Sequence, residues 1–130
     1  MLLLINKQWV MFEMKKFLLL GLLAGLLQIP QVFAHAVVTD YSLKTSEIHV
    51  NQESKVELSF NSKVELGLSQ LFLVSKGDKH TKLEIASGQK QGQIVVTIPP
   101  LEAGDYAIRM KVFAADGHLT EDVIHFKVKP

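Results

Sequence analysis

Two histidine-bearing segments stand apart in this sequence. His35 follows directly on Val32-Phe33-Ala34, and Asp116-Gly117-His118 separates two apolar runs near the C-terminus. A histidine that begins a chain offers its α-amine and its imidazole Nδ1 to one metal ion as a six-membered chelate. An amine pKa of about 7.7–8 makes the required deprotonation easy. Asp116 and His118 add a carboxylate oxygen and a second imidazole. In extended backbone, residues two apart leave the same face, about 7 Å apart at Cα, and Gly117 would relieve crowding between them. Two or three nitrogens with one carboxylate oxygen suit tetragonal Cu(II), which heads the divalent affinity series. The expected site is therefore His35, Asp116 and His118, holding one Cu(II) per mature chain. Cu(I) prefers thioether or thiolate ligands, yet the chain has no cysteine and, past residue 34, only Met110.

The chelate requires His35 to come first, and the preceding residues are those that would make it so. Met14-Lys15-Lys16 is followed by the apolar stretch Phe17 to Leu27 and then by Gln28 to Ala34. That is the three-part plan of a secretory signal peptide, with Val32 and Ala34 at the −3 and −1 positions of the cleavage site. An apolar run of about eleven residues falls short of the roughly 20 needed to cross a bilayer. Residues 1–34 are accordingly expected to be a removed leader with its signal core at 14–34, leaving a periplasmic domain, 35–130, that is not embedded in the membrane. Met1, Met11 and Met14 are each candidate starts, and residues 1–13 have no signal-peptide role of their own.

The chain has fourteen Lys and Arg and thirteen Asp and Glu. Removing the leader takes away Lys7, Lys15, Lys16 and Glu13, which leaves eleven basic against twelve acidic side chains. A near-neutral domain without a basic stripe argues against nucleic acid as the partner, because phosphate binding needs clustered Lys and Arg. All five histidines survive cleavage. Without cysteines the domain depends on its core alone, which is feasible at about 96 residues.

Past His35 the dominant pattern alternates with period two, as in Lys55-Val56-Glu57-Leu58-Ser59-Phe60. Val56, Leu58 and Phe60 share one face of a half-buried strand. Similar runs at 36–41, 47–50, 70–75, 82–86, 93–98, 106–113 and 123–129 bring the expected strands to eight. Turn signals separate them: Asn51-Gln52-Glu53, Lys76-Gly77-Asp78, Ser87-Gly88, Pro99-Pro100 and Asp116-Gly117. No segment past His35 shows a helical period. The expectation is an all-β, immunoglobulin-like Greek-key β-sandwich or barrel.

Over nearly all of 35–130 the chain resembles the CopC copper-resistance protein family. The likeness is carried by His35-Ala36, Val56-Glu57-Leu58-Ser59-Phe60-Asn61, Leu101-Glu102-Ala103-Gly104-Asp105-Tyr106 and Ala115-Asp116-Gly117-His118, in that order. The resemblance implies a periplasmic copper carrier with an immunoglobulin-like barrel. It further implies Cu(II) ligands at His35, through amine and imidazole together, and at Asp116 and His118. An inner-membrane copper transporter of the CopD type is the implied recipient. A methionine-rich loop is missing, which resembles the branch with a Cu(II) site alone. Where some members place a glutamate after the Ser-Phe strand, this chain has Asn61-Ser62-Lys63, and Glu65 is too distant to stand in. Leu119 and Tyr41-Ser42-Leu43 replace two prolines common in the family.

Two other functions compete. Asp-Gly between strands is also a common hairpin signal, so a metal-free β-sandwich serving as an interaction or chaperone module is one alternative. A histidine-brace copper oxidase, similar to the lytic polysaccharide monooxygenases, is the other. Asp116 in the equatorial plane and the short chain disfavour the oxidase. His49 and His125 alternate with apolar neighbours and should face solvent, and His80 should lie in a polar turn. Phe60, Phe72, Phe113 and Phe126 are expected to pack in the core.

Overall fold

The computed structural model describes residues 2–26 and 35–130, with side chains from residue 9 onward in the first segment. The chain divides into two units, Met1–Val32 and Phe33–Pro130. In the first, Leu2–Leu26 forms one helix, α1. Its side chains from Trp9 onward are largely exposed. No described helix is long and apolar enough to cross a membrane. The expected processing point after Ala34 lies outside the described residues.

The second unit is all β apart from one 3-10 turn at Ser42–Lys44. Its strands are β1 (Val38–Tyr41), β2 (Ile48–His49), β3 (Ser54–Phe60), β4 (Gln70–Ser75), β5 (Lys79–Lys82), β6 (Glu84–Ser87), β7 (Gln93–Ile98), β8 (Gly104–Phe113) and β9 (Leu119–Lys129). One sheet runs β1-β3-β7-β6 and the other β2-β9-β8-β4-β5. The chain changes sheet repeatedly, and the result is the expected Greek-key sandwich. The alternation read from the sequence is the burial pattern found. Val56, Leu58 and Phe60 of β3 face inward, as do Ile94, Val96 and Ile98 of β7. They meet Leu71, Leu73, Ile108, Met110, Val112, Ile124, Phe126 and Val128 of the other sheet. Each such side chain contributes about 1.5–3 kcal/mol on burial, which explains how the domain holds without a disulfide.

Tyr106 fixes the β7–β8 corner. Its hydroxyl donates to the Glu102 carbonyl at 2.9 Å, and its ring stacks on Phe126 at 5.8 Å. A tyrosine bonded to backbone a few residues upstream is a recurrent clamp in immunoglobulin-like sandwiches.

The structure corrects the sequence reading in three places. The run at 82–86 is two strands on different sheets, because β5 pairs with β4 whereas β6 pairs with β7. Leu83 is the crossover. It is buried, and its N–H donates to the Leu71 carbonyl at 2.8 Å. His80 belongs to β5 and not to a loop, because Gly77 (φ 80) and Asp78 (φ 56) complete the preceding turn early. Of the four phenylalanines expected in the core, Phe60 and Phe126 are buried, but Phe72 and Phe113 are only half-buried. Both alternate with buried neighbours and so stand on the opposite face of their strands.

Candidate metal centre

The expected site residues come from opposite ends of the domain. His35 precedes β1, and His118 lies in the loop that joins β8 to β9. The structure sets their rings edge to face, with centroids 5.0 Å apart. Asp116 reaches the same place, with Oδ2 at 3.0 Å from His118 Nδ1.

Asp116 and His118 meet through a turn, not through the extended backbone expected from their spacing. The His118 N–H donates to Asp116 Oδ1 at 3.0 Å, a side-chain-to-backbone bond two residues on that aspartate makes readily. The turn is closed by Gly117 N–H to Ala114 O at 2.9 Å and Ala114 N–H to His118 O at 3.0 Å. Gly117 has φ +87, and a Cβ placed there would meet nothing within 4 Å. Its backbone conformation, and not relief of crowding, is what calls for glycine.

This bonding sets the electrostatics. The His118 backbone N–H, above all, holds the Asp116 carboxyl below its ordinary pKa. Partial desolvation opposes the shift, while the His118 imidazole and the charges of His118 and His35 reinforce it. Asp116 is thus a carboxylate throughout the neutral range. Both its oxygens face His118, yet each keeps a further lone pair that could meet a cation. The donor set suits a divalent ion of borderline softness, with two imidazoles and one ionised carboxylate. The side chains are neighbours and not a closed cage. Among the described residues, no group of three or more His, Asp or Glu side chains is already drawn to metal-holding spacing.

The backbone next to each half of this constellation is bonded to one short segment that the sequence reading left without a role. The Asn61 N–H donates to the Val37 carbonyl at 3.1 Å, and Asn61 Oδ1 accepts the Val37 N–H at 2.8 Å. The Lys63 carbonyl accepts the Ala115 N–H at 3.0 Å, and Val64 bridges Ala114 in antiparallel fashion. Little in the sequence marks the segment, because most of these bonds are made by backbone. Glu65 is engaged through its backbone, its N–H donating to the Phe113 carbonyl at 2.8 Å.

The remaining histidines lie elsewhere. His49 and His125 are exposed on β2 and β9, as their alternation requires. His80 Nε2 contacts Asp78 Oδ1 at 2.8 Å.

The fold is thus a two-sheet Greek-key sandwich in which a histidine preceding β1 and one in the β8–β9 loop are brought together. Residues 38–129 match the CopC domain, and the chain belongs to the CopC-domain family. It is 28% identical over 114 residues to protein YobA of Escherichia coli K12, covering 85% of this chain and 91% of YobA. CopC from Methylosinus trichosporium OB3b superposes with a TM-score of 0.61 at 25% identity, covering 74% of this chain and 95% of that one. PcoC, a methionine-rich copper resistance protein from Escherichia coli, superposes at 0.58 and 23% identity, over 74% of this chain and all of PcoC. At that identity the second likeness is one of fold.

Proposed function

We propose that the chain is exported, that cleavage after Ala34 makes His35 the first residue, and that the mature domain carries one Cu(II) in the periplasm. The α-amine and imidazole Nδ1 of His35 form one chelate, and Asp116 and His118 complete the ligand set. Membership of the CopC-domain family supports a copper-related function. The observation that carries the finer reading is the approach of the His35 and His118 rings to 5.0 Å from opposite ends of the domain.

In the unprocessed chain the nitrogen of His35 is a peptide nitrogen with no lone pair to give. Cleavage turns it into an amine, so the strongest chelate would arise only after export. The domain then acts as a carrier for sequestration, transport or resistance. It assigns no reaction to the ion, and its recipient would be an inner-membrane copper transporter of the CopD type.

The competing reading is a metal-free interaction module, in which Asp116-Gly117-His118 is simply the turn between β8 and β9, closed by its own hydrogen bonds. One titration separates the two. Cu(II) is added, in competition with a chelator, to protein beginning at His35 and to protein carrying one extra residue before it. Tight one-equivalent binding lost on extension supports the carrier, whereas weak or equal binding in both leaves the metal-free sandwich.

A further inference from the structure

The segment 61–64 spans the gap between the two sources of the site. Val37, which Asn61 grips through both its N–H and its carbonyl, lies two residues beyond His35. Ala115, whose N–H is held by the Lys63 carbonyl, directly precedes Asp116. Between Val37 and His35, Ala36 is fully buried in the core. The backbone that presents His35 is therefore pinned on one side by packing and on the next by a pair of hydrogen bonds. The freedom left to its imidazole is narrowed to torsions close to His35 itself. The other connections named across this segment are backbone to backbone. The bond from Val37 N–H to Asn61 Oδ1 depends on a side chain, and a point substitution can cut it.

We propose that Asn61 is a positioning residue for the copper centre, holding the first residues of the mature domain in the register that sets the His35 ring against His118. The proposal rests on the copper reading above. It differs from that reading in what it demands of the metal-free protein: the clamp must exist before any ion arrives. Asn61 touches no metal; it acts through Val37, and thus through His35. A pre-set first ligand loses less freedom on binding, so the gain falls on affinity and on the uniqueness of the copper geometry.

The test uses mature protein beginning at His35, with Asn61→Leu, which removes the acceptor at similar size, and Asn61→Asp, which keeps an oxygen in the same place. In the metal-free protein, amide hydrogen exchange at Val37 and the nuclear Overhauser contact between the His35 and His118 rings are read. With Cu(II), the dissociation constant and the paramagnetic resonance spectrum are read. Loss of one hydrogen bond of ordinary strength predicts an affinity about five- to tenfold weaker in Asn61→Leu. It also predicts faster Val37 exchange, a weaker ring contact and a broadened copper spectrum. Asn61→Asp should restore all four readouts to near wild type. Wild-type exchange, spectrum and affinity in Asn61→Leu would overturn the proposal, and so would equal losses in both variants. In either case tight binding by the wild type, strongly weakened by His118→Ala, would leave the copper reading standing. A wild-type protein that binds no Cu(II) overturns both at once.

Discussion

The domain contains two Asp-x-His segments, and they make different use of the same pattern. Asp78-Lys79-His80 and Asp116-Gly117-His118 each bring a carboxylate against its own imidazole, at 2.8 Å and 3.0 Å. Each also contains a residue of positive φ, Asp78 in one and Gly117 in the other. At the first no further side chain among the described residues joins the pair, and the aspartate is 87% exposed. At the second, the aspartate also takes the backbone N–H of its histidine, and a second imidazole stands 5.0 Å away. The pattern sets up a local contact in both places. Only at the second does the fold bring up a third residue, His35, just before the buried Ala36 and β1, and the proposed copper centre rests on that difference.

Histidine replacement should break the comparison most sharply. His118→Ala is expected to lower Cu(II) affinity on the order of a hundredfold or more, since even partners outside a coordination shell commonly cost 10- to 100-fold. His80→Ala should leave affinity unchanged. Equal losses, measured by chelator competition, would mean that the two segments are equivalent and that His35 adds nothing.

Asp116→Asn comes next. It keeps an oxygen for the His118 N–H but removes the charge, and an affinity about ten- to a hundredfold weaker is expected. Asp78→Asn should have no effect on the same titration. Smaller still is Ala36→Leu. Forcing extra methylenes into a filled position costs about 1–3 kcal/mol of stability, and the displaced His35 should bind copper more weakly. Denaturant melts beside titrations would show both losses together, and a stability loss without one in affinity would detach Ala36 from the site.

The smallest effect belongs to a charge pair away from both segments. Glu47 Oε1 lies 2.6 Å from Lys129 Nζ, linking the residue before β2 to β9. The hydrogen bond to Lys129 is the main reason its carboxyl titrates below the ordinary value, with the lysine charge next. A depressed folded-state pKa means that the contribution is present above the unfolded value of about 4.3. It is lost as pH falls through the folded value. Wild type should therefore exceed Glu47→Gln slightly in stability at neutral pH, the gap closing in acid, while copper affinity at neutral pH stays equal.

The strongly alternating strands were legible in the sequence because burial on one face leaves a period-two record, clearest in Val56, Leu58 and Phe60. The run at 82–86 misled because β5 and β6 are mostly exposed edge strands. With Leu83 alone buried between them, a single strand and a strand that changes sheet leave the same trace. Phe72 and Phe113 misled in the opposite way, since an aromatic on the outer face of a strand looks like a core residue until its neighbours are known. The candidate ligands could be named from residue type and place in the chain. How Asp116 and His118 meet could not, because a turn held by a side-chain oxygen and an extended pair share one spacing. The reach of 61–64 toward both halves of the site was not legible either, since the sequence shows Asn61-Ser62-Lys63 but not which backbone Asn61 holds, and the other bonds are made by backbone.

The most direct test counts the imidazoles on the ion. Pulsed paramagnetic resonance on mature protein with one equivalent of Cu(II) should detect two coordinated imidazoles, one of them lost in His118→Ala and neither altered in His80→Ala. A single imidazole in the wild type, or a pattern unmoved by His118→Ala, would contradict a copper centre that joins His35 to the last loop.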